Sequence, residues 1–234
     1  MTNTIQATWN GPYSWPTFED YNGLHAIPKL PGLYLQTFDY SNGYMIYAAG
    51  LTRRPVPARF KEHTHKYMNG KYNVLDINAA QQGIRKEIWH GWGYAKEHRD
   101  EFDERKIEII DAVQKELEGF RIFVADVGEG PRILERLEAS IMDNLYSQPS
   151  PFCDIPDRGM FLSPRLDSEE PVVFESNSHW EFCNATALRS SPRPKSKSFG
   201  SDESNGNLVV PVVFSYDGVA CDDGGGGDDD GDLI

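Results

Sequence analysis

Three groups of polar residues stand where the hydrophobic pattern does not call for them. In "GPRILERLEASIMDNLYS" the apolar residues recur at helical spacing. At about 100° per residue, Leu134, Leu137, Ile141, Met142 and Leu145 share one sector, and Glu138 falls inside it, about 40° from Leu134. Glu135 and Arg136 fall outside. A carboxylate on a core-facing side is destabilising unless it is paired, protonated or bound to a metal. Glu138 is therefore either a core-edge Glu paired with an Arg or a metal ligand held on a rigid helix. In "PVPARFKEHTHKY", Arg59 and His63 are four residues apart and stack on one helix flank with Lys66, beside a stripe of Val56, Phe60 and Tyr67. A guanidinium presents planar donors that suit phosphate oxygens; the plainer reading is a solvated flank. His63 and His65 point their rings apart, so a shared metal site between them is not expected. The third group is "PGLYLQTFDYSNGYMIYAAG", with Tyr34, Tyr40, Tyr44 and Tyr47 in one hairpin. Aromatic residues suit strands, so these four either pack or line a site.

The elements that must position these residues follow from pattern and punctuation. Strands are expected at about 32–38 and 44–49, joined by Ser41-Asn42-Gly43, where Asn and Gly tolerate positive φ. A helix begins near Pro57, which suits a first turn. Residues 69–98 are mixed and broken by Gly83 and Gly91. A helix is expected at about 99–118, with Phe102, Ile107, Ile110, Val113 and Leu117 among charges. "FRIFVADVG" reads as a short buried strand, and a helix starts at Pro131. "PVVFES" and "NLVVPVVFSY" are further candidate strands. The order is hairpin, helix, variable segment, helix, strand, helix. It predicts an α/β (α+β) fold: a small three-stranded antiparallel sheet flanked by helices, with an irregular C-terminal extension. The expected organisation is an irregular packed lead-in over 1–30, one domain over 31–150, a loop-rich extension over 151–197 and an acidic, largely disordered tail over 198–234.

Composition narrows the classes. A hydrophobic fraction of 39% in 234 residues suffices for one core. No apolar run of about 18 residues exists, so no membrane span is expected. The N-terminus lacks a basic region followed by an apolar run, and Cys153, Cys183 and Cys221 lack metal-ligand spacing. Free thiols in a reducing, cytoplasmic setting are expected. The net charge is −13, but nine of the acidic residues lie beyond position 198, where there is no Lys or Arg. Residues 1–197 thus carry −4, which argues only mildly against a nucleic-acid partner. "RSSPRPKSK" is a basic run in a flexible setting.

Taken together, these residues resemble the GIY-YIG nucleases over about residues 30–150. Gly32-Leu33-Tyr34 stands for the first signature and "IYAAG", with Tyr47 and Gly50, for the second. Arg59 and His63 follow on the next helix, and "RLEASIMDNL" is similar to the helix that carries the family's essential Glu, here Glu138. Two features depart from the family pattern. Ala48 and Ala49 separate Tyr47 from Gly50, which shifts Tyr47 by one unless a bulge restores its face. The family's Asn after the Glu helix has no counterpart in "SQPSPFCDI". Residues 69–98 are longer than in minimal members, as in restriction-enzyme-like branches. The resemblance implies a metal-dependent endonuclease that hydrolyses DNA phosphodiesters. Tyr34 and Tyr47 would act on the water, Arg59 and His63 on the phosphate or a proton, and Glu138 on Mg²⁺ or Mn²⁺. A single site would act twice, or pair in a homodimer, to break a duplex. The alternatives are an inactive nucleic-acid-binding module on the same fold and an acidic protein-interaction domain.

Overall fold

The computed structural model describes residues 3–177, 180–184 and 212–214. The expected basic run at 189–197 and nearly all of the acidic tail lie outside the described residues. The fold is mixed α+β. Its central sheet has four antiparallel strands, not three, in the order β2 (Asn10–Tyr13), β7 (Phe120–Ala125), β3 (Gly32–Tyr40) and β4 (Gly43–Thr52). The additional strand comes from the lead-in that was expected to be irregular. Pro12 lacks a donor, and a Pro within a run hides a strand from pattern reading. It is tolerated here because β2 lies at the sheet edge.

A second sheet joins β1 (Asn3–Thr8) in parallel to β8 (Val172–Asn177), which pairs antiparallel with β9 (Val212–Phe214). The expected strands in "PVVFES" and "NLVVPVVFSY" are β8 and β9. Their partner β1 is far away in sequence and gave no local signal. Short elements fill the variable segment: β5 (Val74–Leu75), α3 (Ile77–Ala80), β6 (Glu87–Trp89) and α4 (Trp92–Glu97). A four-residue α1 (Glu19–Asn22) precedes the hairpin.

The central sheet is buried on both faces. On one face, Tyr34, Phe38, Tyr47, Phe120, Ile122 and Val124 pack with α2 (Val56–Met68) and α6 (Lys106–Gly119) through Phe60, Tyr67, Ile109, Val113 and Leu117. On the other, Leu33, Leu35, Ile46, Phe123 and Ala125 meet α7 (Pro131–Tyr146) through Leu134, Leu137, Ile141, Met142 and Leu145, together with Ile5, Ala7 and Phe174 of the second sheet. The helix expected at 99–118 is two: α5 (Arg99–Glu104) and α6 meet at Arg105. That break changes the phase of the apolar stripe. Ile107 ends up 89% exposed, while Phe102 and Ile109 are buried.

Strand β4 is the other sheet edge, and its outer backbone groups are closed one by one. Tyr44 N–H donates to the Glu181 carbonyl at 2.8 Å. Asn184 accepts from Ile46 N–H at 2.9 Å and donates to the Ile46 carbonyl at 2.8 Å. Asp157 N–H donates to the Tyr47 carbonyl at 2.9 Å, and Ala49 N–H meets the Met142 sulfur at 3.1 Å. Open edge donors invite pairing with other chains. No helix among the described residues is long and apolar enough to cross a membrane.

Asn184→Ala leaves two buried backbone groups of Ile46 without partners. It should lower stability by about 2 kcal/mol or more, read as a shift in urea midpoint, and should raise aggregation through the opened edge.

Candidate active site

The hairpin sets the first wall of a cleft. In β3 and β4, Gln36 pairs with Ala48 and Thr37 with Ile46, so Tyr47 is the extra residue of a β-bulge. Without it, Tyr47 would follow Ile46 and Ala48 in alternation. With it, Tyr47 and Ala48 both join the core on the Tyr34 face, while Ile46 and Ala49 join the opposite one. The bulge thus restores the face that the sequence departure had put in question. Tyr34 is the cross-strand partner of Gly50. A Cβ at Gly50 would collide with the Tyr34 ring and hydroxyl, so this glycine lets the phenol lie flat across the strand.

The cleft has a volume of about 400 Å³. Tyr34, Tyr47, Arg59, His63 and Glu138 all line it, so the five residues to which the resemblance gave a role border one space. They do not all meet. The charges that weigh on Tyr34 include Arg59 and Glu138, whereas those that weigh on Tyr47 are Asp157, Glu116, Arg85 and Glu87. Tyr47 therefore belongs to the Asp157 end of the cleft. Tyr40 and Tyr44 pack instead, against Phe152 and Phe123 respectively.

Helix α2 supplies the second wall. The Tyr34 hydroxyl lies 2.9 Å from His63 Nε2, and His63 Nδ1 lies 3.1 Å from the Tyr72 hydroxyl. Burial, then the positive charges of Arg59 and Lys66, hold His63 down at about 3. The imidazole is thus neutral at ordinary pH and carries one proton. Burial also raises Tyr34, although the Arg59 guanidinium beside it pulls the other way, so the phenol keeps its proton. Arg59 can only donate. The Tyr34 proton then points at His63 Nε2, and the Nδ1 proton points at Tyr72. Arg59 is tied on one side to Glu62 at 3.4 Å. Its Nε is buried with no acceptor among the described residues, a donor that an entering anion would satisfy.

Glu138 reaches the cleft past the β4 edge, where its carboxylate accepts the Leu51 backbone N–H. Burial raises it to about 7, against the pull of Arg59 and of that hydrogen bond. Among the described residues it forms no salt bridge, and Arg59 acts on it only as a nearby charge. A half-buried carboxylate whose one named hydrogen bond is to a backbone N–H fits a cation. Among the described residues no group of three or more His, Cys, Asp or Glu could enclose a metal. Glu138 would therefore be a lone protein ligand for an ion that keeps most of its waters, as Mg²⁺ does.

Sequence reading missed Tyr72, Asp157 and Trp92, which also line the cleft. Asp157 lies in a Pro-rich loop that carried no periodic signal. It is 8% exposed, accepts from Asn73 Nδ2 at 3.2 Å and from Gly159 N–H at 3.1 Å, and is raised by its burial. Tyr72 and Trp92 sit in the variable segment, whose mixed, Gly-broken pattern carried no periodic signal. Comparison with protein-family models, curated proteins and solved structures finds no match.

The unfolded chain releases the Glu138 proton near 4.5, whereas the folded protein holds it to about 7. Stability should therefore fall as pH rises between those values, by up to about 3 kcal/mol for this group. Urea unfolding at pH 5 and pH 8 with chelator should show a smaller pH effect in Glu138→Gln than in the parent. Mg²⁺ should restore the parent at pH 8 and leave the variant unchanged.

Proposed function

We propose that this chain is a GIY-YIG-type endonuclease that hydrolyses DNA phosphodiesters with a divalent ion at Glu138. The observation that carries the reading is convergence. Tyr34, Arg59, His63 and Glu138 come from three separate stretches of chain, and all border one cleft. The four motifs were in family order along the sequence, and the bulge returns Tyr47 to the shared face.

Arg59 donates to the non-bridging oxygens of the scissile phosphate, where negative charge builds as water attacks. Its unpartnered Nε–H is one of the donors available for this. A free Tyr is a weak base at neutral pH, and burial raises Tyr34 further, so a standing phenolate is not the base. The relay solves this. Tyr34 oxygen takes the proton of the attacking water as its own proton passes to His63 Nε2. The His63 Nδ1 proton then passes to Tyr72, which returns one to solvent. No group of the relay holds a net charge for long, as a buried imidazole with a value of about 3 requires. The water oxygen bonds to phosphorus, the opposite ester bond breaks, and the leaving oxygen is protonated from solvent. Glu138 would hold a Mg²⁺ or Mn²⁺ ion, which would supply neutralisation of the charge that builds at the reacting phosphate. Asp157, delivered by the loop after α7 and held by the Asn73 amide of the variable segment, takes the place of the family Asn in this reading.

Purified protein should nick supercoiled DNA and cut linear DNA with Mg²⁺ and not with chelator. Glu138→Ala should abolish cutting while remaining folded, and Arg59→Ala should slow it about 10²- to 10³-fold. Binding without cutting under every metal tried would turn the reading to a nucleic-acid-binding module on this fold. A folded Glu138→Ala protein that cuts as fast as the parent would remove Glu138 from the chemistry.

A further inference from the structure

Beside the cleft lies a second cavity of about 540 Å³. Lys66, Lys71, Lys96 and Arg99 line it, with the rings of Tyr72 and Trp92, and among the described residues no carboxylate does. Lys66, Tyr72 and Trp92 line the cleft as well, so the two spaces adjoin. In a chain of net charge −13 this is a concentration of positive charge. Arg99 is partly neutralised by Asp103 at 3.2 Å. Lys66, Lys71 and Lys96 form no ion pair among the described residues. Lys66 is pushed down by burial and by the charges of Arg59 and Lys71, which marks a site short of anions.

Trp92 is the unusual member. Its φ is +54°, a left-handed backbone that bulky residues avoid. Such a residue persists only when its surroundings hold it. Trp92 N–H donates to the Lys71 carbonyl at 2.9 Å. A Cβ at Gly159 would collide with the indole, so that glycine makes room for it. Its ring centroid lies 5.0 Å from that of Tyr72, and the residue is 36% exposed. The fold thus fixes a large aromatic surface, partly open to solvent, beside three unpaired cations.

We infer that this groove binds an unpaired nucleotide of the DNA strand being cut, its base stacked on Trp92 and its phosphates against Lys71 and Lys96. The inference rests on the nuclease reading of the adjoining cleft. A base inside a duplex has both faces covered, so the indole can take only a base that is already single-stranded or displaced. An acidic peptide would satisfy the lysines but leave the aromatic surface uncovered. The substrate class is therefore DNA with unpaired nucleotides next to the cut, or DNA that opens there on binding.

The test is fluorescence anisotropy at low salt with chelator, using a labelled single-stranded oligonucleotide and a blunt duplex of the same sequence. The parent protein should bind the single strand about 10-fold or more tighter than the duplex. Trp92→Asn, a residue that accepts the left-handed backbone, should erase that preference. The Lys71→Glu/Lys96→Glu double variant should weaken both complexes about 10-fold or more and flatten their salt dependence. Equal affinity of the parent for both DNAs, or full preference in Trp92→Asn, overturns the inference. Should Trp92→Asn not fold, unchanged single-strand affinity in the lysine variant overturns it instead. With Mg²⁺ supplied, a Trp92-dependent preference in a protein that cuts nothing sinks the nuclease reading and leaves the groove. Blunt-duplex cutting by a Trp92→Asn protein that keeps the parent's preference sinks the groove and leaves the nuclease.

Discussion

The backbone of β4 must be satisfied on both sides, and two of the groups that satisfy it also line the cleft. As an edge strand, β4 finds partners on one side only in β3. Its outer side is closed by Glu181, Asn184, Asp157, Met142 and Glu138. Two of these bring carboxylates to the cleft. Glu138 caps the strand near Leu51, and Asp157 is anchored by its own N–H at the bulge. The bulge at Tyr47 depends on the same arrangement, since an extra residue leaves a carbonyl to be paired, and Asp157 pairs it.

Burial sets the electrostatics. Tyr34 and His63 are pushed toward their neutral forms, and Glu138 is raised to about 7. A chain of neutral hydrogen-bonding groups can pass protons without creating a buried ion. A half-buried carboxylate near neutrality can exchange a proton for a cation. Arg59 is the fixed charge between them: it opposes the rise of Tyr34 and of Glu138 and helps to keep His63 neutral. Removing it would change all three groups together.

The variable segment joins fold and recognition. It contributes little to the central sheet, yet it supplies Tyr72 at the end of the hydrogen-bonded chain and Trp92 at the head of the basic groove. Both sit where short elements turn sharply; Tyr72 is held by His63 and Tyr67 of α2, and Trp92 has its space at the distant Gly159.

Local pattern alone determined the hairpin, α2, β7 and α7, because each has its own periodicity and its own turn or proline signal. The same pattern placed Glu138 on an apolar sector and Arg59 and His63 on one flank, since helical spacing is a local property. It missed β1 and β2, whose partners lie far along the chain, and it merged α5 with α6 because a break at Arg105 carries no Gly or Pro. Only the tertiary structure decided which face Tyr47 takes, because one extra residue in a strand exchanges the two faces and the register is set by the partner strand. It alone also brought Tyr72, Asp157 and Trp92 to the cleft. Their positions follow from long-range packing of irregular segments, for which spacing along the chain holds no information.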